Sequence, residues 1–180
     1  MPFTIIDTCT GCTACEKRCP TSAIHGVRKE MYYIDPELCI ECGACGVVCP
    51  SEAILDAYGR LTEQLKSHQR PKAFVELEKC VGCMYCSNSC PFVCITMEPA
   101  PAGIVGLGGN TTTVAVVDLK KCTGCTVCEI DCPYDAIHIW RQDDPRAKQN
   151  EDHNRKLWGY APPAPGKPAQ KEAEPKQDAA

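Results

Sequence analysis

The sequence predicts an α+β chain: two small tandem domains built on short strands, followed by an extended C-terminal tail. Three observations predict this: a cysteine pattern repeated four times, brief β-rich pieces flanking each copy, and a cysteine-free, proline-rich end. Cysteine supplies 17 of 180 residues, while Phe, Trp and Tyr together supply only 6%. So few large side chains cannot fill a conventional core of this size. Disulfides or metal must supplement apolar packing, and compartment separates the two. Residues 1–9 show neither a charged n-region nor an apolar h-region, so a cytoplasmic, reduced chain is expected. No apolar run approaches the roughly 18 to 20 residues of a bilayer span, so no direct membrane span is expected. A formal net charge of −4 argues against a nucleic-acid partner.

The repeat is regular. Cys9, Cys12, Cys15 and Cys19 precede Pro20; Cys39, Cys42, Cys45 and Cys49 precede Pro50. Cys80, Cys83, Cys86 and Cys90 precede Pro91; Cys122, Cys125, Cys128 and Cys132 precede Pro133. Each run reads C-x2-C-x2-C-x3-C-P, which absorbs sixteen of the seventeen cysteines. Three thiolates at this spacing lie on one tight loop that can wrap a cubane and reach three of its iron corners. The fourth ligand must come from elsewhere. The third and fourth cysteines of a run are four apart, so a helical turn there displaces them along one face and lets the fourth serve a neighbouring cluster. The proline is expected in a first helical turn, where its missing N–H costs nothing. Zinc is the competing reading, because C-x2-C is also a zinc half-site, but zinc leaves the third cysteine unused. Disulfides come behind both.

These residues resemble the bacterial 2x[4Fe-4S] ferredoxin family, duplicated as in a polyferredoxin. The resemblance covers residues 1–57 and 73–140. It implies small antiparallel sheets over the clusters, one-turn helices at the C-P sites, and four [4Fe-4S] clusters. Carried over by residue, it assigns Cys9, Cys12, Cys15 and Cys49 to one cluster and Cys39, Cys42, Cys45 and Cys19 to the second. Cys80, Cys83, Cys86 and Cys132 take the third, and Cys122, Cys125, Cys128 and Cys90 the fourth. Which runs pair is inferred from their order and the linker length.

The strand candidates, in order, are Phe3 to Ile6, Ile24, Tyr32 to Ile34, Ile54, Phe74 to Leu77, Ile95, Val114 to Val117, and Ile137 to Ile139. Inside the loops, Gly11, Gly82 and Gly124 precede the second cysteine, while Gly43 follows it in the second run. Left-handed turns there would aim backbone N–H groups at sulfur, although plain tight turns need glycine as well. The odd Cys94 aligns with Ala23, Ala53 and Ala136 after each C-P, which predicts a small buried slot. No cysteine follows Cys90 and Cys94 at the spacing of a radical enzyme's C-x3-C-x2-C.

Four segments result: a domain over 1–57, a linker over 58–72, a domain over 73–140 and a tail over 141–180. Leu61 and Leu65 stand four apart in the linker, which predicts a short amphipathic helix. Ala100 to Thr113 is a glycine-rich insertion, expected as a surface loop because it lacks the full dinucleotide fingerprint. The tail carries six prolines and cannot fold alone. Its Trp158 and Tyr160 are expected to anchor another subunit.

No catalytic constellation stands out, and His25, His68, His138 and His153 are scattered. The expected role is that of a non-catalytic electron-transfer wire, a dedicated subunit of an anaerobic oxidoreductase complex. The resemblance extends to the iron-sulfur subunits of tungsten or molybdenum pterin enzymes, such as aldehyde oxidoreductase-like enzymes and class II benzoyl-CoA reductases. It implies a catalytic partner chain and a further redox protein as donor or acceptor. A diffusible polyferredoxin serving several partners is the alternative, and an iron-sulfur redox sensor a third reading that lacks an output domain. An oxidised cluster with four thiolates contributes −2, so four of them take the formal charge from −4 to −12 and favour a basic docking surface.

Overall fold

The computed structural model describes residues 2–101, 103, 104 and 113–158. Much of the glycine-rich insertion, including Gly106, Gly108 and Gly109, and the tail from residue 159, including Tyr160, lie outside the described residues. Among the described residues no helix is long and apolar enough to cross a membrane.

Every expected strand piece contains a strand, although Phe3, Ile6, Tyr32, Glu76 and Leu77 fall outside them, and each strand pairs antiparallel with one other. In the first domain β1 (Thr4–Ile5) pairs with β4 (Ile54–Leu55), and β2 (Ile24–His25) with β3 (Tyr33–Ile34). The second domain repeats this nesting with longer strands: β5 (Pro71–Val75) against β8 (Ile137–Arg141), and β6 (Ile95–Pro99) against β7 (Thr113–Val117). Pairing the outermost strands of each domain joins the first run to the second and the third to the fourth. Two separate cores result. One gathers Ile5, Ile24, Tyr32 and Ile54 with the sulfurs of Cys15, Cys45 and Cys49; the other gathers Val75, Leu77, Ile95, Val114 and Ile137 with those of Cys80, Cys94, Cys122 and Cys128. Cysteine thus supplies core volume that large side chains supply elsewhere.

A short helical turn leads to the fourth cysteine of each run: 3-10 turns at Glu16–Arg18 and Gly46–Val48 after the third cysteine, then α1 (Tyr85–Ser89) and α2 (Val127–Ile130), which contain it. The proline does not open this turn as expected but follows its end. Cys19, Cys49 and Cys90 are extended, with ψ of 119°, 115° and 109°. The ring of a following proline excludes the helical region for the residue before it.

The expected linker helix within 58–72 is absent, and β5 already begins at Pro71. Asp56 Oδ1 accepts the N–H groups of Tyr58 and Arg60, both at 2.9 Å, and so closes a turn. Leu61 then bridges Leu55, the N–H of Thr62 donates to Ile54 O at 2.9 Å, and that of Leu65 to Val47 O at 3.0 Å. These donors are spent on the first domain, leaving no i to i−4 ladder to form.

The extended tail is overturned as well, over residues 145–158. Pro145–Trp158 is a helix, α3, opened by Asp144, whose Oδ1 accepts the N–H of Arg146 at 2.8 Å. Ala147, Asn150, Asn154 and Trp158 share one face. Ala147 and Trp158 are buried, and both asparagines donate to Val75 O, at 3.1 and 2.8 Å. Trp158 therefore anchors the helix to its own domain rather than to another subunit.

Candidate metal centres

Each cysteine loop is shaped by left-handed residues on both sides of its second cysteine. They are Gly11 and Thr13, Glu41 and Gly43, Gly82 and Met84, Gly124 and Thr126, with φ from 56° to 71°. Alternating hand along a loop turns successive N–H groups into a concave nest for negative charge. Glycine is needed before the second cysteine in the fourth run, because a Cβ on Gly124 would stand 2.5 Å from the carbonyl of Pro71. A third left-handed residue follows each C-P, at Ser22, Glu52, Val93 and Asp135. Glycine spacing revealed part of this pattern. The Ser, Thr, Glu, Met and Val members leave no such signal, because nothing local in those side chains favours positive φ; of the non-glycine members only Asp135 is of a type enriched there.

The loops bring the thiols together across runs. Cys9, Cys12, Cys15 and Cys49 line one void with Ile5, Tyr32 and Ile54. Cys19, Cys39, Cys42 and Cys45 line a second, and Cys80, Cys83, Cys86 and Cys132 a third. Cys90, Cys122 and Cys125 lie within electrostatic reach of Cys128, as does Cys86 from the third void, so the fourth group stands beside the third. Burial dominates the electrostatics of these groups. It pushes the thiol of Cys15 up to about 11, those of Cys45 and Cys86 up to about 12, and that of Cys128 higher still. Without iron these thiols hold their protons, and ligation must displace them.

Backbone donors complete the shell. The N–H groups of Ala23, Ala53 and Ala136 donate to Cys19, Cys49 and Cys132 Sγ at 3.2, 3.3 and 3.3 Å, and that of Ala73 to Cys122 Sγ at 3.4 Å. Cys94 fills the expected buried slot, at 4% exposure, and touches a ligand candidate: its Sγ lies 3.4 Å from Cys90 Sγ. The Cys94 thiol pulls those of Cys90 and Cys122 down to about 6. Buried Lys72, expected at the end of the linker over 58–72, instead stands in β5 and donates through Nζ to Cys122 O.

His138 and His153 pair with carboxylates. His138 Nε2 reaches Glu76 at 2.9 Å with its ring stacked on Trp140 at 5.1 Å, and His153 pairs with Glu78 at 3.3 Å.

The donor set fits iron-sulfur clusters: four thiols around each gathering point, with N–H groups directed at sulfur. Among the described residues no three His, Cys, Asp or Glu side chains converge as a lone ion requires. The thiols stand apart around voids, which suits a group carrying several irons.

Comparison with known proteins agrees with this chemistry. The family described as 4Fe-4S dicluster domain matches residues 8–53 and 79–136, and a second 4Fe-4S dicluster domain family matches residues 31–91. No curated protein matches. Among solved structures, one chain of the formate dehydrogenase - heterodisulfide reductase - formylmethanofuran dehydrogenase complex from Methanospirillum hungatei is 26% identical, with a TM-score of 0.39. The alignment covers 77% of this chain and 50% of that one, so this chain spans half of that relative's length.

Proposed function

Because the chain belongs to the 4Fe-4S dicluster domain family, we propose that it is a non-catalytic electron-transfer wire holding four [4Fe-4S] clusters within an oxidoreductase complex. Cys9, Cys12, Cys15 and Cys49 hold the first; Cys39, Cys42, Cys45 and Cys19 the second; Cys80, Cys83, Cys86 and Cys132 the third; Cys122, Cys125, Cys128 and Cys90 the fourth. The carrying observation is the exchange of the fourth thiol between runs, which puts Cys49 on the void of the first run and Cys19 on that of the second.

When bound, such a cluster supplies one-electron exchange without transfer of protons or groups. The chain's residues hold and tune it. Four thiols per site leave no iron corner for a substrate. Ile5, Tyr32 and Ile54 exclude water from the first site, and Val75, Met97 and Ile137 from the third. The N–H groups of Ala23, Ala53 and Ala136 offset negative charge on sulfur, which favours the reduced state.

The partner in this reading is a catalytic oxidoreductase chain of the tungsten or molybdenum pterin kind. Exposed Met84 and Tyr85 beside Cys83, with Tyr134 nearby on the same void, supply apolar contact area for it. Dithionite reduction of the purified protein is expected to produce reversible electron-paramagnetic signals; their absence would sink the wire. Isolation from the native source is expected to bring down a larger metal-pterin chain in fixed stoichiometry. Migration as a lone chain at physiological salt assigns a diffusible carrier instead.

A further inference from the structure

The two halves of each domain are near copies, so a difference in burial between matching residues reports something outside the repeat. In the second domain Thr123, Gly124 and Cys125 are buried, whereas the matching Val81, Gly82 and Cys83 are half-buried. Met84 and Tyr85, which follow Cys83, are 52% and 60% exposed. In the first domain the contrast is confined to the cysteine and the residue two beyond it: Cys12 is exposed and Ala14 half-buried, whereas Cys42 is half-buried and Ala44 buried, while Gly11 is buried and Glu41 exposed. In the second domain one loop faces outwards and the other is covered.

Position along the chain accounts for the cover. The linker bonds to the second run through Leu65 N–H and Val47 O, and only six residues later Pro71 lies against Gly124 of the fourth run. Six residues span at most roughly 20 Å, so the linker leaves the first domain on the side of the second run and enters the second domain on the side of the fourth within that distance. Cys125 in turn lies within electrostatic reach of Cys42, across the domain boundary. Arg18 of the first domain acts likewise on Lys72 beside Cys122.

Resting on the four-cluster reading, the structure assigns the order of the sites along the molecule as first, second, fourth, third, each named by the run supplying three thiols. The second and fourth meet across the domain boundary at Cys42 and Cys125. The first and third face outwards at Cys12 and at Cys83 with Met84 and Tyr85, so one-electron donors and acceptors meet the chain there. Chain order alone would have placed the third site beside the second.

Electron-paramagnetic resonance of the reduced holoprotein tests this order. Cys12→Ser, Cys42→Ser, Cys83→Ser and Cys125→Ser each give one site a distinct signature while leaving an oxygen able to ligate. The expected result is mutual splitting between the sites marked by Cys42→Ser and Cys125→Ser, and none between those marked by Cys42→Ser and Cys83→Ser. Splitting in the second pair without the first overturns the order. Fewer than four irons at each of four sites in the unsubstituted protein overturns the four-cluster reading itself, whereas full iron with the wrong coupling overturns only the order. Amide exchange needs no variant. Residues 123–125 should exchange about tenfold more slowly than 81–83, and equal rates would count against the order.

Discussion

The Sγ atoms of Cys90 and Cys94 stand 3.4 Å apart, so a buried thiol outside the repeat touches a ligand candidate. The other three repeats carry alanine there, with a backbone N–H donating to the cysteine four residues earlier. Cys94→Ala is therefore expected to fold and to load full iron, losing only the S–H donor. A donor of about 1 kcal/mol corresponds to roughly 40 mV for one electron. One of four midpoint potentials should fall by about that much in a redox titration followed by electron-paramagnetic resonance, leaving the other three in place.

Two glycines with similar φ separate backbone strain from steric exclusion. Gly59, at φ +75°, has nothing within 4 Å of an added Cβ, so Gly59→Ala should cost about 1 kcal/mol in urea denaturation and retain all iron. Gly124, at φ +71°, abuts the Pro71 carbonyl. Gly124→Ala must shift β5 or the fourth loop, and an iron assay should show one site's iron missing.

Helix α3 is expected to be a stabilising strut of the second domain. Trp158→Ala should cost about 3 kcal/mol and speed amide exchange across 145–158, with the first domain unaffected. Asp144→Ala should destabilise the helix more weakly than Trp158→Ala, through loss of the cap. Arg146 beside Asp144 holds its carboxyl down at about 2. A depressed carboxylate stabilises the fold above its ordinary range, so the cap is complete at neutral pH and lost as pH falls through about 2.

Stripping the iron with a chelator under reducing conditions should unfold both domains. Cysteine sulfurs form part of both cores, and the aromatic content is too small to replace what they hold. Circular dichroism should show loss of the strands, with recovery only when iron and sulfide are both returned. A chelated protein that kept its thermal transition would contradict this account.

What the sequence determined by itself was local. The spacing C-x2-C-x2-C-x3-C-P sets which three thiols share a loop, and the β-branched pieces beside each run become strands wherever they occur, because both depend on residues a few positions apart. The antiparallel nesting of β1 with β4 and of β5 with β8, which joins the runs into pairs, is a tertiary outcome that the motif does not encode. So is the path of residues 58–70. Leu61 and Leu65 have helical spacing, but Ile54 and Val47 offer carbonyls that a helix there would forgo. Trp158 looked available to a partner until Asn150 and Asn154 found Val75 O and carried it into its own domain. In each case the deciding acceptor lies far along the chain, and short-range pattern carries no trace of a bond whose other half is tens of residues away.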